Sequence, residues 1–228
     1  MRPSMSGHAP KAFISWSTGK DSAFAVLEAR RLGLAEIAGV LTTVNEVHDR
    51  VSMHGVRNAL LDRQVAALGL PSVQVKLPMP CSNAIYEERM AAAVERLKAE
   101  GVRHVVFGDL FLEDVRAYRE TRLEAAGMTG IFPLWQRDTK ALAREMIAAG
   151  LVARLVTVDP RKLDRGFAGR TFDAALLAAL PAEVDPCGEN GEFHTFVSAG
   201  PIFSAPIPVA AGEVVERDGF VFADLLPA

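Results

Sequence analysis

Short apolar runs and helix-spaced apolar positions take turns along the first half of the chain. Residues 12–16 form a short apolar run and predict a buried strand. Residues 21–32 repeat apolar side chains at helical spacing and stop at Gly33. Residues 36–43 predict a second strand. Residues 53–68 predict an amphipathic helix ending at Gly69, and residues 72–76 a third strand. Residues 82–100 predict a long helix with Ser82 as its N-cap and Gly101 as its stop, and residues 104–108 a fourth strand. Strand-then-helix alternation with glycine at helix ends predicts a parallel sheet covered by helices.

The texture then changes. Residues 115–126 predict a helix, after which Gly127, Gly130 and Pro133 interrupt the pattern. Residues 139–149 predict another helix, capped by Asp138 or Thr139 and stopped by Gly150. Residues 152–158 predict a β-branched strand, and residues 172–180 a short helix. Residues 181–195 are polar and contain glycine. Near the end, Arg217-Asp218-Gly219 joins two β-type runs, a hairpin signal. Its edge is a candidate surface for a homodimer. The organisation expected is a loose tail over residues 1–10, a nucleotide-type α/β domain over 11–133 and a smaller, irregular α+β domain over 134–228. No tandem repeat or low-complexity segment interrupts it.

Composition narrows the classes. The chain has 228 residues, 50% of them hydrophobic, enough for a substantial core. Its formal charge of −3 lacks the basic surplus of a general nucleic-acid binder. Two distant cysteines, Cys81 and Cys187, make neither a disulfide framework nor a four-ligand zinc site. No stretch suits a bilayer or a secretory leader. A reduced, cytoplasmic setting without membrane contact is expected.

The sharpest chemical signal is Ser17-Thr18-Gly19-Lys20-Asp21-Ser22, between the first strand and the first helix. A helix N-terminus offers unpaired N–H groups and a positive dipole end, which suit phosphate. Gly19 permits close backbone approach, Lys20 adds a point charge, and Ser17, Thr18 and Ser22 add hydroxyls. Asp21 caps the helix or helps hold magnesium. The loop is neither a Walker A motif nor a dinucleotide fingerprint. The bland alternative is a set of turn and cap residues.

A second cluster is Asp185-Pro186-Cys187-Gly188-Glu189-Asn190-Gly191-Glu192-Phe193-His194-Thr195. Carboxylates, a thiol and an imidazole on a glycine-containing loop suit magnesium or substrate binding. A zinc reading fits no familiar ligand spacing. A solvated polar turn is the ordinary alternative.

Two family patterns match these stretches. Residues 17–22 resemble the S-G-G-K-D-S loop of PP-loop ATP pyrophosphatases, with Thr18 where the pattern has its first glycine. A β-branched residue resists positive φ, so Thr18 is harmless only if Gly19 alone needs that geometry. Residues 188–195 resemble the G-E-x-G-E-[FY]-x-T signature of the diphthine–ammonia ligase-like branch. Gly108-Asp109, followed by Arg119 and Glu120, resembles its G-D segment. The resemblance runs from about Phe13 to Phe203.

The resemblance implies a Rossmann-like, adenine-nucleotide-α-hydrolase-like sheet of five parallel strands with helices on both faces, beneath a smaller C-terminal α+β domain. It implies ATP and Mg2+, a carboxylate acceptor (a small molecule or a modified protein side chain) and ammonia. AMP and pyrophosphate are the implied products. Lys20, Asp21, Glu189, Glu192 and His194 are the implied catalytic residues. Ser15, Ser17, Thr18, Gly19, Lys20, Asp21, Ser22, Leu41, Thr42, His54, Gly108 and Asp109 hold ATP, with Asp21 and Asp109 on the metal. Arg57, Glu113, Arg119, Cys187, Gly188, Asn190, Gly191 and Thr195 face the substrate. Residues 54–57, 108–114, 132–135 and 137–139 resemble bacterial members. Bacteria generally do not make diphthamide, so the acceptor stays open. The rival classes are a non-catalytic ATP or AMP sensor and a PP-loop RNA-modifying enzyme.

Overall fold

A computed structural model describes residues 9–228, so most of the tail expected over residues 1–10 lies outside the described residues. The first unit runs β1 (Lys11–Ser15), α1 (Lys20–Arg31), β2 (Glu36–Asn45), β3 (Arg50–Val51), α2 (Asn58–Leu68) and β4 (Ser72–Leu77). It continues through α3 (Asn83–Ala99), β5 (His104–Val106), α4 (Glu113–Ala125) and β6 (Thr129–Ile131). Five strands pair in parallel in the order β4-β2-β1-β5-β6, and short β3 pairs antiparallel with the end of β2. The fold is a Rossmann-like α/β sheet. Its winding reverses between β1 and β5, which leaves a crevice beyond their C-terminal ends.

Side chains alternate across the sheet as the strand period requires. Ala12 and Ile14 of β1 enter one core, with Phe24 of α1 and Leu60 of α2. Phe13 enters the opposite core, with Leu97 of α3 and Leu123 of α4.

The second unit contains α5 (Thr139–Ala148), β7 (Val152–Val158), α6 (Ala174–Ala179), β8 (Phe193–Ala199), β9 (Val209–Arg217) and β10 (Phe220–Pro227). Its sheet is antiparallel, in the order β8-β7-β10-β9, and leaves β9 at the edge. Leu142 of α5 and Phe196 of β8 belong to the same core as Phe24 and Leu60, so the two units share one apolar interior.

Several elements differ from the sequence reading. The helix expected over residues 53–68 begins only at Asn58. Residues 50–51 are β3, and the turn after it is held from outside, where Thr157 Oγ1 donates to the carbonyl of His54 at 2.9 Å. Strand β6 lies in the glycine-broken stretch, because its partner β5 supplies the ladder that its own composition does not suggest. Strand β8 begins inside the segment read as polar, where Phe193 and Phe196 are fully buried.

The turn from β1 into α1 settles which residue takes the left-handed conformation. Thr18 does, at φ 71°, and its side chain is fully buried. Gly19 is extended at φ −92°. What Gly19 supplies is space, because a Cβ there would stand 2.8 Å from His54 Cε1 and 3.1 Å from the Thr195 carbonyl oxygen. The hydroxyl of Thr18 has no partner among the described residues. Thr18→Gly should therefore raise stability, by about 1 kcal/mol after the entropy of a new glycine is subtracted. Urea unfolding reads this, and a loss of stability would sink the strain argument. Gly108 marks a second close approach, its virtual Cβ lying 2.7 Å from the Asp21 carbonyl carbon. Backbone in the first turn of α1 cannot yield easily, so Gly108→Ala should cost about 1–3 kcal/mol in the same assay.

Candidate functional site

Beyond the C-terminal ends of β1, β2 and β5 lies a cleft of about 600 Å³, roofed by the second unit. The first unit lines it with Ser15, Ser17, Asp21 and Ser22, with Leu41 and Thr42 of β2, and with Gly108, Asp109 and Arg119. His54 enters from the turn after β3. Gly188, Glu189, His194 and Thr195 come from the second unit. Residues far apart in sequence thus converge at the switch point of the sheet.

The two units are joined at the phosphate-type loop. Lys20 N, in the first turn of α1, donates to Thr195 Oγ1 at 3.0 Å, so a hydroxyl from β8 satisfies one of the free N–H groups of that helix. Val197 N donates to the Thr18 carbonyl at 3.0 Å. Fully buried Gln64 of α2 ties the joint together. Its Nε2 donates to the carbonyls of Thr18 (3.1 Å) and Val197 (2.7 Å), and its Oε1 accepts from Trp16 Nε1 (2.9 Å). Within the loop, Ser22 Oγ donates to the Gly19 carbonyl at 3.0 Å.

Lys20 turns into this joint. Its Nζ lies 2.9 Å from each Asp21 carboxylate oxygen, donates to the Cys187 carbonyl, and stands 5.4 Å from the ring centres of Phe172 and Phe193. Burial works most strongly against its charge, but Asp21, Cys187 and Glu189 together outweigh it and hold the ammonium above its ordinary value. Lys20 therefore latches the signature loop rather than lining the cleft.

The cleft wall itself is rich in carboxylates. Glu189 Oε1 accepts from Leu110 N at 2.7 Å, and Asp109 pairs with Arg119 at 2.7 Å. Burial, opposed by the Leu110 N–H and assisted by Asp21 and Asp109, raises Glu189 from 4.5 to about 7. His54 and His194 stack with ring centres 4.6 Å apart. Burial, then Lys20, lowers His194 to about 4, and burial lowers His54 well below its ordinary value. Both rings are neutral at pH 7.

Other sequence candidates stand elsewhere. Thr18 and Gly19 sit behind the wall. Glu192 is buried, accepting from Asp185 N and Asn190 Nδ2, both at 3.1 Å. Asn190 gives its carbonyl to Lys162, and Gly191 sits in the same turn. Cys187 is buried with its Sγ on the Thr139 carbonyl, and burial pushes the thiol up. Glu113 is exposed at the start of α4. Arg57 pairs with Asp224 in an adjoining cavity. Among the described residues, no group of three or more His, Cys, Asp or Glu is arranged to hold a metal ion.

Sequence reasoning missed the apolar end of the cleft, formed by Tyr86, Met90, Val94, Phe107 and Leu123. Residues 86, 90 and 94 follow helical spacing and look like an ordinary core stripe. Gln64 and Trp16 were also missed. A buried polar side chain on a core-facing helix position carries no local signal.

Comparison with known proteins agrees with this architecture. The description "Diphthamide synthase N-terminal domain" matches residues 10–129, and "Diphthamide synthase C-terminal domain" matches residues 138–222. A Homo sapiens protein named diphthine–ammonia ligase is 26% identical over 91% of this chain and 85% of its own length. Its Danio rerio namesake is 27% identical over 91% of this chain and 89% of its own. A Schizosaccharomyces pombe protein of the same name is 35% identical, over 44% of this chain and only 18% of its own length. Among the described residues no helix is long and apolar enough to cross a membrane. With both halves matched in order along the chain, this protein belongs to the diphthamide synthase family.

Proposed function

We propose that the chain is an ATP-dependent, AMP-forming ligase that adenylates a carboxylate and passes the acyl group to ammonia. The observation that carries this reading is the cleft where the N-terminus of α1 and Glu189 of the signature loop face one space. The apolar end at Tyr86, Met90, Phe107 and Leu123 suits a flat purine. Ser17, Ser22 and the positive end of α1 suit the phosphates.

The chemistry follows from leaving groups. A carboxylate is a poor acyl donor because oxide would have to depart. Its oxygen attacks the α-phosphorus, the bond to the bridging oxygen breaks, and pyrophosphate leaves. Ammonia then attacks the acyl carbon, the bond to the AMP oxygen breaks, and a proton leaves the nitrogen. Glu189, titrating at about 7, is matched to accept that proton near neutrality. His194, at about 4, is a weaker base there and orients by packing on His54.

Asp21 and Asp109 line the cleft and would be the oxygen donors for a magnesium ion, shared with Lys20 and Arg119, since such an ion takes few carboxylates and relies on phosphate and water for the rest. Such an ion would neutralise triphosphate charge in a cleft whose wall has Arg119 as its single arginine or lysine among the described residues. The relatives compared above are all named diphthine–ammonia ligase, which makes diphthine the reference against which other carboxylates are compared.

One observation favours a second reading, a sensor that binds ATP or AMP without turnover. Lys20, the loop's only strong cation, is engaged with Asp21 and the Cys187 carbonyl. Purified protein given ATP, magnesium, ammonium and a pool of carboxylic acids should release AMP and pyrophosphate. ADP and phosphate would refute the ligase reading, and tight binding without cleavage would establish the sensor. Ser17→Ala with Ser22→Ala should raise the KM for ATP about tenfold, the size expected from losing hydrogen bonds to charged oxygens.

Glu189 gives a pH test. Its carboxyl titrates at about 7 in the folded protein against an ordinary value of 4.5. Between those values the folded state holds the extra proton, so stability falls as pH rises through that window. Glu189→Gln should remove a slope worth about 1–3 kcal/mol in denaturant unfolding. It should also flatten the rise of turnover near pH 7, and an unchanged profile would exclude Glu189 as the base.

A further inference from the structure

A second cavity of about 580 Å³ adjoins the nucleotide cleft, and the two share Val51, Ser52, Met53, Leu77, Cys81 and His194 as walls. It lies between the face of the β9–β10 hairpin and the chain segments around β3 and after β4. Along β10, residues 220, 222 and 224 point to one side by the strand period, and Val215 lies opposite Phe222. Phe220, Phe222 and Val215 therefore make an apolar floor, facing Leu77, Pro78 and Met79. At the mouth, Met53 is 72% exposed and Met79 is 51% exposed, large apolar side chains left in water.

The inner wall is charged in an unbalanced way. Asp224 Oδ1 accepts from Arg50 at 2.9 Å, and its Oδ2 accepts from Arg57 at 2.5 Å. Two guanidinium groups thus share one carboxylate. The Asp224 side chain is 15% exposed and that of Arg50 23%, whereas that of Arg57 is 41% exposed, so the positive charge is weakly screened on the Arg50 side and open to solvent on the Arg57 side. Burial favours the neutral acid of Asp224, but hydrogen bonds from Arg57 and Arg50 outweigh it and keep the carboxylate ionised. Glu213, Arg217, Asp218 and His48 also line the cavity, but all four are exposed on its rim, where water and salt screen them.

We propose that this second cavity is the acceptor site, and that it takes a compact acid with an apolar body and two anionic groups. One anionic group faces the Arg50–Asp224–Arg57 wall. The other, the reacting carboxylate, passes His194 into the nucleotide cleft. The two groups are distinct because Arg50 and Arg57 line the second cavity and not the nucleotide cleft. The role of acceptor rests on the ligase reading above, whereas the preference for a dianion rests on the cavity alone.

The test compares two probes by calorimetry, phenylsuccinate with two carboxylates and hydrocinnamate with one. Phenylsuccinate should bind about tenfold tighter to the native chain, the size of one charge-assisted contact. Arg57→Gln should erase that margin and Arg57→Lys should restore part of it. Melting temperature and circular dichroism check that each variant folds, and Arg50→Gln serves if Arg57→Gln does not. Alkylation of Cys81 by iodoacetamide reports location, since Cys81 is exposed where the cavities meet and Cys187 is buried. ATP and phenylsuccinate should each slow it, and together slow it further. Equal binding of the probes, no binding of either, a margin that survives Arg57→Gln, or competition between phenylsuccinate and ATP overturns the proposal. If the margin holds but ATP does not bind, the acceptor role falls with the ligase reading. If AMP and pyrophosphate form but the margin is missing, the cavity assignment alone falls.

Discussion

A single hydroxyl governs much of this molecule. Thr195 Oγ1 takes the N–H of Lys20 across the joint between the two units, in the first turn of the helix that begins at the phosphate-type loop. Around it, Val197 and Gln64 engage the Thr18 carbonyl and Trp16 engages Gln64, so that this backbone is buried without being orphaned, although the Thr18 hydroxyl keeps no partner among the described residues. The same contact brings His194 onto His54 and carries Glu189 to the end of β5. The site is thus less a pocket in a nucleotide-binding domain than a seam between two sheets.

That seam explains where the charges stand. Its geometry draws Lys20 inward and leaves carboxylates on the cleft wall, with Arg119 already paired to Asp109. Both histidines are desolvated enough to stay neutral. A wall of this kind is poorly suited to a bare polyanion and better suited to one that arrives with its own cation. Specific recognition then falls to the helix end, the hydroxyls and the apolar recess.

The elements that carried the fold were visible wherever local signals were strong. The run around Phe13, the Ser82 cap and the glycines closing the helices marked the α/β unit, and the Asp218-Gly219 turn marked the hairpin. Strands β6 and β8 were not visible, because β6 lies in a glycine-broken stretch and β8 starts inside a loop motif. The seam was invisible for a deeper reason. Gln64 carries no signal, and Thr195, noticed only as the end of its signature, has its partner on α1; these partners lie 46 to 175 positions away. The two signature loops announced chemistry without revealing that one would cap the helix behind the other. Thr18 is the converse case, since the question it posed could be framed from sequence and needed only a dihedral angle to answer.

The buried joint also bears on how the molecule is made. During synthesis the sheet strands, α1 and Gln64 emerge long before residues 193–199. Until β8 arrives, the amide of Lys20 lacks the Thr195 hydroxyl and the carbonyl of Thr18 lacks the Val197 N–H. The first unit's share of the cleft wall, encoded near the beginning of the chain, is therefore among the last parts of the molecule to acquire its final shape.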